Sequence, residues 1–173
     1  MGLGVFSFSD IFLYPSRVPW NAPDKDNFFK KKLFSLIFRY LNNIPVTRGQ
    51  QGKTTMLEQL KEFKNKLHQG RVHLFFEGTR TRDGHIGECK SGVAEVIYES
   101  RPLVIPILLE NIQPIMPVEI GFKFFKISRG VKGIMRIGKP IEFNGVLNKP
   151  KNGQTRKEIG AIIRKAVIEL QEK

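Results

Sequence analysis

The chain has 173 residues, of which 40% are hydrophobic and 26% charged, a composition that fits one folded domain with a sizeable core and excludes a largely disordered chain. Its 29 Lys and Arg against 16 Asp and Glu give a net charge of +13, which favours a polyanion or an anionic membrane as partner. The single cysteine, Cys89, excludes an internal disulfide framework, and no Cys and His spacing predicts a metal site.

The first predicted helix covers residues 25–42, where apolar residues recur at helical spacing. Phe28 and the Lys30–Lys32 cluster give it the composition of an interfacial helix, but a core helix with a solvated basic edge is equally open. We expect no transmembrane helix, because no run approaches the roughly 18 apolar residues of a spanning segment. The predicted apolar face comprises Phe29, Leu33, Leu36, Ile37, Tyr40 and Leu41.

The next predicted elements are an extended piece, a helix and a strand. Residues 44–46 are predicted to be extended, and a helix with one buried stripe is predicted from about residue 54 to residue 69. Gly70 suits the C-terminal cap of that helix. The nearly continuous apolar run 72–76 is typical of a central strand covered on both faces.

A loop rich in Gly, Thr and Asp follows, and then a helix over residues 91–100 and a second buried strand over residues 103–109 are predicted. This order predicts a right-handed crossover unit with parallel strands. Segment 121–139 has six basic residues and no acidic one, with a turn predicted at 128–130 between two strands. A C-terminal amphipathic helix is predicted over residues 153–172. Its buried side would comprise Ile159, Ile162, Ile163, Ala166, Val167 and Leu170.

The loop after the strand 72–76 has the residues of an anion site. Ligands of open parallel sheets bind beyond the carboxyl ends of the strands. Gly78 allows a sharp turn or a close approach to a ligand, Thr79 offers a hydroxyl, and Arg80 offers a planar fork that matches phosphate oxygens. Glu77 could hold a neighbouring basic group or an acceptor hydroxyl. A solvent-exposed charged turn is the alternative interpretation of the same residues.

Four segments in order resemble the conserved blocks of the lysophospholipid acyltransferase family. Phe75–Arg80 resembles its phosphate-binding block, with Phe76 in place of the usual proline. Asn43–Gly49 resembles the upstream block that contributes an arginine, Val104–Ile107 the downstream apolar block, and Arg136–Ile141 the closing strand. The resemblance covers about residues 5–142. It implies one α/β domain over residues 1–173, with a mixed, mostly parallel sheet flanked by helices.

The resemblance also implies a site without a metal or a resident cofactor, in which acyl-CoA or acyl-carrier protein is a co-substrate. The residues expected to bind the substrate phosphate are Arg48, Glu77, Gly78, Thr79, Arg80 and Lys90. The residues expected to line the acyl or acceptor pocket are Phe75, Phe76 and Pro106.

The family's catalytic pair is a histidine followed by an aspartate five positions later. Asp10 matches the aspartate that orients the base, but Val5 stands at the histidine position, and valine cannot accept a proton. Three explanations stay open: a truncated or mis-started reading frame, an inactive relative that still binds lipid, or substitution by another histidine. Of the histidines, His68 and His73 fit structural or exposed positions and His85 lies in the loop past Arg80. The mismatch begins beside Met1, which favours the first explanation.

The resemblance implies an acyltransferase that moves a fatty acyl group to the hydroxyl of a lysophospholipid such as 1-acyl-glycerol-3-phosphate, in phospholipid biosynthesis or remodelling. We expect it to be a peripheral protein at the cytoplasmic face of an anionic membrane. Its expected partners are a lysophospholipid and an acyl thioester, and acyl-carrier protein is a further partner if that protein carries the acyl group. The alternatives are an inactive lipid-phosphate-binding relative and a basic nucleic-acid-binding domain. The last is disfavoured, because the aromatic residues fall at core spacing and do not alternate with basic residues.

Overall fold

The computed structural model describes residues 18–23, 35–36, 39–46, 53–79, 81, 84–115, 130 and 132–172. The chain divides into two compact units, Met1–Phe75 and Phe76–Lys173. Within the predicted helix 25–42, the described residues 35–36 and 39–40 are helical. Leu36 and Tyr40 of its predicted apolar face are exposed.

In the first unit, a parallel ladder joins β1 (Trp20–Asn21) to β2 (Val72–His73). Helix α1 (Lys53–Gln69) confirms the helix predicted from residue 54. It ends as predicted, because the N–H of Gly70 closes the last turn onto a carbonyl of that helix. The ammonium of Lys66 lies 3.8 Å from the centre of the Trp20 ring, which ties the helix to β1.

The prediction of a central strand over residues 72–76 is wrong in its extent. In the described part of the chain the ladder ends at His73, and Phe75 is 57% exposed instead of covered. The apolar run has the composition of a buried strand. The ladder is nevertheless short, because a strand pairs only along the length of its partner and β1 has two residues.

Most of the buried apolar side chains in the described part of the chain lie in the second unit. Its elements are α2 (Ser91–Ser100), β3 (Ile107–Glu110), α3 (Ile112–Ile115), β4 (Ile134–Ile137), a 3₁₀ helix (Val146–Asn148) and α4 (Gly153–Ile168). Helix α2 has the predicted bounds, and α4 confirms the C-terminal helix, with a last turn shorter than predicted. The Asn152 side chain caps α4 by accepting from the Thr155 N–H at 2.8 Å.

Helices α2 and α4 pack against each other around the centre of this unit. The buried cluster comprises Ala94, Ile97, Phe143, Val146, Ile159 and Ile163. Ile159 is 0% exposed. The buried residues of α4 include Ile159, Ile163 and Val167 of the apolar stripe that its sequence predicts. None of the helices in the described ranges is long and apolar enough to cross a membrane.

Strand β3 pairs antiparallel with β4, from Ile107 opposite Ile137 to Glu110 opposite Ile134. The predicted parallel crossover would join β2 of the first unit to β3 of the second and stays a prediction; in the described ladders β2 pairs with β1 and β3 pairs with β4. The prediction of a strand buried on both faces over residues 103–109 is wrong, because Leu103 and Ile105 are exposed. An antiparallel pair needs cover on one face only.

Candidate functional site

The predicted anion site lies on a loop of residues 76–90 whose two ends are joined by the backbone. The N–H of Lys90 donates to the carbonyl oxygen of Phe76 at 2.8 Å. The Phe76 side chain packs against the buried cluster around Ile159 and against a second buried cluster formed by Leu108, Val167 and Leu170. The loop therefore starts and ends at fixed points, which is the support that a binding loop needs to hold a defined geometry.

Glu77 closes the loop from inside. Its Oε2 accepts a hydrogen bond from the N–H of Gly87 at 2.7 Å. A Cβ built on Gly87 would lie 2.9 Å from that oxygen, so any larger residue at this position would require the Glu77 carboxylate to shift. The partner of the Glu77 carboxylate in this contact is a backbone amide, whereas the sequence suggested a basic side chain or an acceptor hydroxyl.

Gly78 and Lys90 meet at the opening of the loop. Gly78 has a φ of 69°, in the left-handed region that favours glycine. A Cβ there would lie 3.1 Å from Cγ of Lys90 and 3.4 Å from its Cε, so the lysine stem runs directly over the glycine. Thr79 follows at the exposed edge of the loop.

Lys90 is also the N-cap residue of α2. Its carbonyl accepts from the N–H groups of Val93 at 3.0 Å and Ala94 at 3.4 Å, which begins the helix. The first turn of a helix carries partial positive charge and favours anions. An exposed ammonium, a glycine turn and a helix start therefore come together in one place, and this arrangement can bind a phosphate.

Helix α4 contacts the loop at Ile86 and Cys89, and the sequence pattern does not predict this contact. Nε of Arg164 donates to the carbonyl of Ile86 at 3.1 Å. A Cβ on Gly160 would lie 3.0 Å from Cβ of Cys89, so glycine lets the loop approach the helix. The only sequence signal is a glycine and an arginine four residues apart, hence on one side of the helix.

Cys89 is not suited to nucleophilic chemistry. Its thiol is half-buried, and burial raises its pKa from 9.0 to about 11, although a backbone hydrogen bond from Ala94 opposes this shift. The thiolate is the nucleophilic form of cysteine. The thiol stays protonated near neutral pH and serves packing between the loop and α4.

The described histidines differ in their surroundings. His68 and His85 are exposed. His73 Nδ1 lies 3.1 Å from Oδ1 of Asn21, its ring centre lies 5.1 Å from that of Phe75, and burial lowers its pKa below 6.5. These contacts give His73 a structural role in the first unit.

Several predicted site residues lie outside the described part of the chain: Val5, Asp10, Arg48 and Arg80. Of the predicted pocket residues, Phe75 is exposed in the first unit and Phe76 is in the core of the second. Pro106 is buried and lines a groove of about 450 Å³ beside Gly138 and the C-terminal half of α4. The roles assigned to these residues stay predictions.

Comparison with known proteins assigns a family. The model of a family described as Acyltransferase matches residues 8–110. The chain is 28% identical over 140 residues to tafazzin from Drosophila melanogaster, which covers 80% of this chain and 36% of that protein. It is 30% identical over 146 residues to N-acylphosphatidylethanolamine synthase from Arabidopsis thaliana, which covers 76% of this chain and 48% of that protein. The chain thus spans less than half the length of these relatives.

Among solved structures, the chain resembles the 1-acyl-sn-glycerophosphate acyltransferase PlsC from Thermotoga maritima. The TM-score is 0.56 and the identity 18%, and the alignment covers 90% of this chain and 58% of that one. This likeness confirms the predicted α/β fold class, although the described ladders are only two strands wide.

Proposed function

We propose that this chain, which belongs to the acyltransferase family whose model matches residues 8–110, binds a lysophospholipid by its phosphate and transfers an acyl group to the hydroxyl of that lipid. The observation that carries this proposal is the 76–90 loop. Lys90 lies across Gly78 at the start of α2, and the loop behind them is held by the Glu77–Gly87 hydrogen bond.

The proposed binding mode uses charge and backbone geometry together. The Lys90 ammonium would pair with phosphate oxygens, and the first turn of α2 would add its partial positive charge. By resemblance, Arg48 and Arg80 would complete the phosphate site. A net charge of +13 would favour both an anionic acceptor and the anionic membrane that contains it.

The proposed reaction is acyl transfer from acyl-CoA or acyl-carrier protein. The acceptor hydroxyl oxygen attacks the thioester carbonyl carbon, a C–O ester bond forms, and the C–S bond breaks. The hydroxyl proton goes to a base and then to the departing thiolate. In the family that base is the histidine at the position of Val5, and Asp10 would orient it.

A second candidate function follows from Val5 itself. Because valine cannot accept a proton, the chain as written would bind the lysolipid phosphate without turnover. Loss of a general base costs about 10²–10⁴-fold in rate, so the two candidates differ in a quantity that can be measured.

The test compares the chain with its Val5→His and Val5→Gln variants. Binding of lysophosphatidate would be measured by calorimetry, and acyl transfer would be measured with labelled acyl-CoA and with acyl-carrier protein. We expect equal binding in all three proteins and a rate about 10²–10⁴-fold higher in Val5→His alone. If Val5→His binds lysophosphatidate and stays inactive, the missing base at position 5 does not account for the absence of acyl transfer.

A third variant, Arg80→Ala, tests both candidates at once. Its affinity for lysophosphatidate should fall below detection, while an unchanged affinity would contradict both lipid functions. Steeply salt-dependent binding to DNA or RNA, with none to lysophosphatidate, would instead favour the nucleic-acid alternative.

A further inference from the structure

The segment that leads into β3 has one buried face and one exposed apolar face. Pro106 and Leu108 are buried on the inner side. Leu103 is 76% exposed and Ile105 is 47% exposed. Successive side chains of an extended segment point to opposite sides, so Leu103 and Ile105 share their side with Ile107 and Leu109.

Strand β4 extends this exposed face. Ile137 lies opposite Ile107 and Met135 lies opposite Leu109 in the antiparallel register. Met135 is 62% exposed and Ile137 is 40% exposed. We define the outer face as the side chains of Leu103, Ile105, Ile107, Leu109, Met135 and Ile137.

The charges on the two strands lie on the other side of the ladder. Nε of Arg136 is 2.6 Å from Oε2 of Glu110, and both residues alternate with the members of the outer face. Antiparallel sheets that face water carry polar side chains on the wet side. Six apolar side chains on one face therefore mark an interaction surface.

The charges that flank the outer face identify the partner. Lys132 and Lys139, on either side of β4, are exposed. Both belong to a segment, residues 121–139, whose sequence has six basic residues, no acidic residue and three phenylalanines. Apolar and aromatic side chains beside lysines are the composition of surfaces that enter the headgroup region of anionic membranes.

We propose that the outer face of the β3–β4 ladder is a membrane-docking surface that rests on anionic phospholipid. This surface is separate from the 76–90 loop and is a further site, beyond the proposed acyltransferase function. Its apolar side chains enter the acyl boundary of the bilayer, and the lysines meet lipid phosphates. A second copy of the chain as occupant would give a different outcome in the test below.

The experiment measures co-sedimentation of the full chain with vesicles of phosphatidylcholine and phosphatidylglycerol, and with vesicles of phosphatidylcholine alone. The vesicles contain no lysolipid and no thioester, so the result is independent of the acyltransferase proposal. Ile137→Gln and Ile134→Gln form a matched pair, since both residues are 40% exposed on β4 and point to opposite sides of the ladder.

We expect Ile137→Gln to weaken binding to the anionic vesicles several-fold, and the double variant Leu103→Gln/Met135→Gln to weaken it about tenfold or more. Ile134→Gln should bind like the wild type. All of these residues are exposed, and circular dichroism checks that each variant is folded. Added salt should weaken the binding of the wild type to anionic vesicles.

Three outcomes would overturn the proposal. In one, the double variant and the wild type bind anionic vesicles equally. In another, Leu36→Gln in the predicted helix 25–42 abolishes binding and the outer-face variants do not. In the third, light scattering shows that the wild type is a dimer and the double variant a monomer, with vesicle binding unchanged, and the outer face is then an interface between copies.

Discussion

The α2–α4 pair and the 76–90 loop are neighbours in one unit, but different forces hold them. The helices share buried apolar side chains around Ile159, and ion pairs join α2 to the start of α4. Lys151 contacts Glu95 and Glu99 at 2.5 Å each. The loop instead depends on single polar contacts and on glycines that permit close approach.

This difference separates stability from binding. Loss of an apolar side chain between the helices leaves a cavity and lowers the free energy of unfolding. Loss of one loop contact leaves most of the core intact, because Phe76 still anchors the loop in it. Substitutions in the two regions should therefore be distinguishable by measuring both quantities on each variant.

The largest effect is expected for Ile159→Ala. Ile159 is 0% exposed at the centre of the helix pair, and the substitution should lower the free energy of unfolding by about 3 kcal/mol, measured by urea denaturation. Ile162→Ala, at a half-buried position of the same helix, serves as the control and should cost clearly less. Equal losses would mean that the cavity at Ile159 does not limit stability.

Lys90→Ala should show the opposite behaviour. Because the lysine is exposed, its removal should leave the unfolding transition nearly unchanged. Lysophosphatidate affinity should fall by about 1.5–3 kcal/mol, the usual range for a hydrogen bond to a charged group. Lys157→Ala removes an exposed lysine from α4 and controls for net charge. Similar losses of affinity in both variants would contradict a specific phosphate contact at Lys90.

Gly87→Ala tests the contact that closes the loop. The new Cβ would lie 2.9 Å from Oε2 of Glu77, so the carboxylate must move and the hydrogen bond is lost. We expect a decrease of about 1 kcal/mol in the free energy of unfolding and a several-fold weaker affinity for lysophosphatidate. Gly153→Ala, at the first position of α4 and with no atom within 4 Å of its Cβ, should leave the affinity close to that of the wild type and should not lower the free energy of unfolding.

The glutamate side of the same contact offers a second comparison. Glu77→Gln keeps an oxygen that can accept from the Gly87 N–H and should retain most of the stability that Glu77→Ala loses. If Glu77→Gln loses as much as Glu77→Ala, the negative charge of Glu77 matters more than this hydrogen bond.

The helices could be predicted from the sequence because their signals are local. The apolar spacing of residues 91–100 gives the bounds of α2, and the stripe around Ile159 gives the buried side of α4. The strands could not be placed equally well, because pairing depends on residues far along the chain. Residues 103–109 are apolar enough for a fully buried strand. Their partner β4, however, pairs with the backbone edge of β3 and does not cover either of its faces.

Two residues assigned to the candidate site lie in contact, but the support of their loop could not be predicted from the sequence. Gly78 and Lys90 are both assigned to a phosphate site, and the Lys90 side chain does lie against Gly78. The contact between Arg164 and the Ile86 carbonyl joins positions 78 residues apart. No local pattern reports such a contact, since arginines on exposed helix faces are common.

The smallest expected effect concerns Cys89, at the contact between the two regions. Burial raises the pKa of its thiol from 9.0 to about 11. Between these values the unfolded chain has lost the thiol proton and the folded chain retains it, so the free energy of unfolding should fall as pH rises from about 9 to about 11. The thiol is only partly buried, and solvent screening limits this loss to about 1 kcal/mol.

Other groups also titrate in this range, so the measurement compares urea denaturation of the wild type and Cys89→Ala from about pH 8 to about pH 11, a range that runs from below the ordinary pKa of the thiol up to its raised value. The stability of the variant should decline less steeply, since it lacks the thiol and keeps every other titrating group. Identical slopes would mean that the thiolate is solvated in the folded chain. The loop would then open away from Gly160 at high pH, and the close packing of Cys89 on α4 would contribute little to holding it.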